Sequence, residues 1–98
     1  MIRTVLIEDE VEQRKYLTSM VRDYFPAIDI VGEADSVSSG KEIILQYLPD
    51  LVILDIVLKD GNGFEILSQL EHLQFKLIFI SGYEEYALKA IKYRALDY

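Results

Sequence analysis

The chain has no cysteine among its 98 residues, which excludes disulfides and thiolate metal sites and fits a cytoplasmic protein. No apolar run approaches the ~18 residues that a membrane span needs, so no membrane association is expected. Met1-Ile2-Arg3-Thr4 lacks the long apolar stretch of a signal peptide. Positive charge is also short: 10 Lys and Arg stand against 17 Asp and Glu, for a net charge of −7. An acidic domain does not neutralise a run of phosphates, so direct nucleic acid binding by this segment is not expected, and a cation is the better ligand. Repeats, low-complexity tracts and linkers are absent, and the length limits the chain to one domain. What it has in quantity is apolar residues, 51% of the total, enough to build a core.

Those residues fall in a regular order. Leu51-Val52-Ile53-Leu54 is a run of branched side chains that reads as a strand buried on both faces. Thr4 to Ile7 and Leu77 to Ile80 have the same character. Ile28 to Ala34 is a strand too, but Asp29 and Glu33 suit it to a sheet edge. Helices separate the strands. Tyr16, Leu17, Met20, Val21 and Tyr24 mark one helical face, ended by Pro26. Ile43, Ile44, Tyr47 and Leu48 mark a second, with Ser39 and Glu42 as a capping box. Phe64, Leu67 and Leu70 mark a third helix, which would carry the single histidine, His72, away from the acidic residues. Glu84 to Arg94 reads as a fourth, with Glu85 and Lys89 four apart. Strand and helix alternate four times, which predicts an α/β fold: a doubly wound parallel sheet with helices on both faces.

In such a sheet all strand C-termini share one edge, where ligands bind. Three of the four strands carry reactive groups there: Glu8 and Asp9 after the first, Asp55 after the third and Ser81 after the fourth. Like charges packed together repel and raise at least one pKa, a conflict that a divalent cation removes. Oxygen donors without His or Cys favour a hard ion such as Mg2+. An aspartate beside such an ion is a competent nucleophile for phosphoryl transfer.

On Val5-Leu6-Ile7-Glu8-Asp9-Glu10, Ile53-Leu54-Asp55-Ile56, Gly61-Asn62-Gly63, Ile80-Ser81-Gly82-Tyr83 and Ala95-Leu96-Asp97-Tyr98, the chain resembles the receiver domain of two-component response regulators. Tyr83-Glu84-Glu85-Tyr86-Ala87 together with Ala95 to Tyr98 resembles the subgroup with a LytTR DNA-binding output domain. The resemblance implies a flavodoxin-like receiver fold with strand order 2-1-3-4, the fifth strand and helix missing. It implies that a sensor histidine kinase phosphorylates Asp55. Mg2+ would be held by Asp9, by Glu8 through water, by Asp55 and by the Val57 backbone carbonyl. Ser81 would bond the phosphoryl group and Tyr98 would be the switch aromatic. A domain that modifies itself is not a turnover enzyme.

The chain departs from the family pattern in four places. Glu8 stands where Asp is commoner, Lys59 replaces a Pro and should free the loop after the acceptor, and Gly82 replaces a common Ala. The family's phosphoryl-binding Lys and last helix would follow Tyr98, so residues 1–98 read as a C-terminally incomplete receiver, a fragment. An uncovered fourth strand and fourth helix would then favour self-association on that side. Competing readings are weaker. A haloacid dehalogenase needs an Asp where Val57 stands, and Glu8-Asp9-Glu10 would repel a flavodoxin's flavin phosphate. A pseudo-receiver, a binding module that is never phosphorylated, is the strongest rival.

Overall fold

Alternation along the central strands decides how the layers form. The computed structural model describes residues 1–70 and 72–80. Along β1 (Ile2–Ile7), Val5 and Ile7 point to one face of the sheet and Leu6 to the other. The same division runs through β3 (Leu51–Asp55), with Val52 and Leu54 against Leu51 and Ile53. Val5 to Ile7 and Leu51 to Leu54 are apolar without a break because both faces of the sheet are covered there.

Three helices provide the cover among the described residues. α1 (Val11–Tyr24) sets Leu17, Met20 and Val21 on Leu6, Leu51 and Ile53. α2 (Val37–Tyr47) and α3 (Gly63–Gln69) share the opposite face, with Ile44, Phe64, Ile66 and Leu67 in the larger core cluster. The Phe64 and Phe79 rings tilt against each other with centroids 5.1 Å apart. At Gly40 a Cβ would lie 2.9 Å from Ile7 Cδ1, so α2 approaches β1 more closely than a side chain would allow.

The four-stranded parallel sheet has the order β2 (Ile28–Ala34), β1, β3 and β6 (Lys76–Ile80), the order expected from the sequence. β2 is an edge, as its charges indicated. The register Ile7↔Leu54 sets the ends of β1 and β3 side by side, so Glu8 and Asp55 leave the sheet as neighbours.

Several local expectations need correction. Tyr16 and Tyr24 are 57% and 75% exposed. Tyr16 lies ~100° round the helix from Leu17, and Tyr24 takes the last helical position. Leu48 is exposed as well, because it ends α2 in the left-handed conformation at φ 46°. The cap of α2 is Ser36, which accepts from the Ser39 amide, rather than a Ser39–Glu42 box. A capping box does form on α3, between Asn62 and Glu65. His72 is exposed and lies beyond the end of α3.

The segment after Asp55 is no plain loop. It forms a small antiparallel hairpin, β4 (Val57–Leu58) and β5 (Gly61–Asn62), turning at Lys59-Asp60. Lys59 does not free it. Its ammonium meets Asp35 Oδ2 at 2.9 Å.

Candidate functional site

Asp55 ends β3, and Glu8 and Asp9 follow β1. One carboxylate oxygen from each of the three lies within 4.8 Å of the others. The sequence-predicted cluster is therefore assembled by the pairing of two adjacent strands, although about 46 residues separate Asp9 from Asp55. Backbone geometry fixes each member. The Glu8 amide donates to the Ala34 carbonyl at 3.0 Å, and its Oε1 accepts from the Glu10 amide at 3.1 Å. Arg14 on α1 donates to the Glu8 carbonyl at 2.8 Å. Asp55 Oδ1 accepts from the Val57 amide at 3.3 Å. Behind Asp55 there is no spare room, since a Cβ on Gly63 would lie 2.6 Å from the Asp55 carbonyl oxygen.

The carboxylates are electrostatically strained. Glu8 is only 3% exposed. Burial, with the hydrogen bond and charge of Asp55 added, pushes its carboxyl from 4.5 up to about 7, against the opposing bond from the Glu10 amide. Asp55 is also raised, first by burial and then by the charge of Asp9, while hydrogen bonds from Glu8 and the Val57 amide oppose the rise. Both shifts have the same sense: burial and the neighbouring negative charge favour the protonated form at this pair of carboxyls. Like charges at close range resolve their conflict by protonation when no cation is present.

The donor set fits a hard divalent cation. It is all oxygen, and both raised carboxyls would return to their ionised form beside a positive charge. Val57 stands next to the cluster on β4, and its side chain is an apolar group, 43% exposed. A second acid two residues after Asp55, as a haloacid dehalogenase would need, is therefore absent. Ser81, Tyr98 and the fourth helix lie outside the described residues.

A model of the family "response regulator receiver domain" matches residues 4–98. The chain belongs to the response regulator receiver family. Receiver domains of this family act in two-component signal transduction, and phosphorylation and Mg2+ dependence are general to them. The sensory transduction protein LytT of Bacillus cereus is 37% identical over 103 residues, covering 100% of this chain and 40% of that protein. LytT of Enterococcus faecalis is 37% identical over 99 residues, covering 99% of this chain and 40% of that protein. These relatives support the LytTR-type subgroup. The receiver spans about 40% of the length of the curated relatives it matches.

Solved structures agree on the fold. A DNA-binding response regulator of the LuxR family from Staphylococcus aureus superposes with a TM-score of 0.89 at 24% identity, covering 100% of this chain and 84% of that one. The response regulatory domain of protein mrkE from Klebsiella pneumoniae gives 0.88 at 21% identity, covering 99% and 80%.

Sequence reasoning found the acidic cluster and missed what surrounds it. Arg14, Asp35, Lys59 and Asp60 all hold backbone or partners near the site. Asp60 stands 23 residues from Val37, whose amide it accepts from, and no local pattern signals a contact at that range.

Proposed function

We propose that this receiver accepts a phosphoryl group on Asp55 from a sensor histidine kinase in the cytoplasm and thereby switches a downstream LytTR-type DNA-binding output. The observation that supports this reading best is the placement of Asp55 at the end of a central strand, with Glu8 and Asp9 within 4.8 Å. In the reaction, an Asp55 carboxylate oxygen forms the new bond to phosphorus as the bond to the kinase imidazole nitrogen breaks, and that nitrogen leaves with the electron pair. Asp9, Asp55, the Val57 carbonyl and Glu8 through water would hold Mg2+. When bound, the ion neutralises charge on the transferring group and on the carboxylates.

The chain's own residues do the rest. The Val57 amide orients the Asp55 carboxylate, and a bound cation would favour the ionised form of Glu8. Ser81 and Tyr98 would take the phosphoryl contact and the switch position by resemblance. The domain modifies itself once per cycle, so it is a signalling acceptor rather than a turnover enzyme.

Acetyl phosphate with Mg2+ tests the assignment. Intact mass spectrometry should show one added phosphoryl group on the wild type and none on Asp55→Asn. A label that survives in Asp55→Asn, or a wild type that never takes one, would refute the acceptor role.

A further inference from the structure

The turn of the β4–β5 hairpin is fastened to the start of α2 by contacts that the acceptor chemistry does not use. Asp60 accepts from the Val37 amide at 2.7 Å with one carboxylate oxygen and from the Ser38 amide at 3.2 Å with the other. Amides in the first turn of a helix have no partner within the helix, and a carboxylate is stabilised there. Beside this pair, Lys59 bonds Asp35 Oδ2 at 2.9 Å, and Ser39 donates to Asp35 Oδ1 at 3.2 Å.

For the helix this is a second cap, since Ser36 already accepts from the Ser39 amide. For the hairpin it is a polar anchor at the turn, added to the burial of Leu58 in the core. β4 and β5 have two residues each, pairing Val57 with Asn62 and Leu58 with Gly61, and so short a ribbon does not hold its own shape in water. Yet the ribbon begins with Val57, whose amide bonds Asp55 Oδ1.

We propose that Asp60, aided by Lys59, is a positioning residue for the Asp55 site: it clasps the hairpin turn to α2 and so fixes Val57 against the acceptor carboxylate and the cation. This rests on reading Asp55 as a Mg2+-dependent phosphoacceptor. The clasp is closed at neutral pH. The Lys59 hydrogen bond holds the Asp35 carboxyl below its ordinary range, and the Val37 amide does the same for Asp60.

The test compares wild type, Asp60→Asn, Asp60→Ala and Ser36→Ala in the 98-residue chain, with Mg2+ itself as the probe. The two Asp60 variants lose the same charge, but asparagine keeps one of the two acceptor oxygens, enough for the shorter bond from the Val37 amide, and alanine keeps neither. Ser36→Ala weakens the same helix terminus and removes no direct contact to the hairpin turn. Backbone amide shifts give the Mg2+ Kd, and hydrogen exchange reports the amides of residues 57–62. Asp60→Ala should bind Mg2+ about 10-fold more weakly than Asp60→Asn, the lower end of the range known for groups that orient metal ligands. Its hairpin amides should exchange faster, while Ser36→Ala keeps the wild-type Kd. Equal Kd values for the two Asp60 variants, or an equal loss in Ser36→Ala, would overturn the positioning role and leave the acceptor assignment standing. A wild-type chain that ignores Mg2+ would overturn both.

Discussion

The raised Glu8 carboxyl makes stability depend on pH in an unusual direction. Replace Glu8 by Gln and the titration is gone while the shape is kept. In the wild type the folded-state carboxyl titrates near 7 instead of 4.5. Between those values the folded chain binds more protons than the unfolded one, so stability falls as pH rises. The contribution is complete below about 4.5 and lost as pH passes 7. At ~1.4 kcal/mol per pKa unit the ceiling is about 3 kcal/mol, and sharing the titration with the coupled Asp55 carboxyl reduces the part that belongs to Glu8 to ~1–2 kcal/mol. The raised Asp55 adds in the same sense. Asp35 and Asp60, both lowered, act in the opposite sense but below their ordinary value of 3.8, outside this window. Urea unfolding in chelator at pH 5 and pH 8 measures the effect. Glu8→Gln should gain ~1–2 kcal/mol on the wild type as pH goes from 5 to 8. An offset independent of pH, or a wild type more stable at pH 8 than at pH 5, would refute the reasoning. Saturating Mg2+ should restore the wild type at pH 8, because a ligand of the folded state stabilises it.

Other outcomes follow from the same geometry. Asp55→Asn should weaken Mg2+ binding measured by amide-shift titration, and an unchanged affinity would remove Asp55 from the cation site. Gly63→Ala forces a Cβ to 2.6 Å from the Asp55 carbonyl oxygen, so it should cost ~1–3 kcal/mol in urea unfolding and impair phosphorylation by acetyl phosphate. Phe79→Ala empties the most voluminous fully buried position among the described residues and should cost ~3–5 kcal/mol, read by the same unfolding assay.

The parts legible in the sequence were those written as periodicity. Leu51 to Leu54 announced a doubly covered strand, and Asp29 and Glu33 marked the edge. Because parallel strands end together, the convergence of Glu8, Asp9 and Asp55 could be deduced before any contact was known. Tyr16 and Tyr24 misled because helical spacing gives a face but not how far the opposing layer extends. Ser36 was overlooked as the cap because the serines at 36, 38 and 39 compete for one role and only backbone geometry selects among them. The Lys59–Asp60 turn was misjudged for a related reason. Without a proline it reads as loose, and what stiffens it is a helix terminus brought near by the fold.

The position of β1 between β2 and β3 also sets a timetable. Its partners arrive in turn: Ile2 pairs with Ile28, and Thr4 pairs with Leu51. During synthesis at ~5–20 residues per second, Asp9 emerges about 2–9 s before Asp55. Through that interval the nascent chain holds two of the three carboxylates, and β1 has β2 to pair with but not β3. The central pairing that shields Val5 and Leu6 is also the event that builds the cation site, so the chain cannot become competent to bind before it is protected. A ribosome stalled ahead of Leu51 would hold β1 without the strand that pairs with it on its central side.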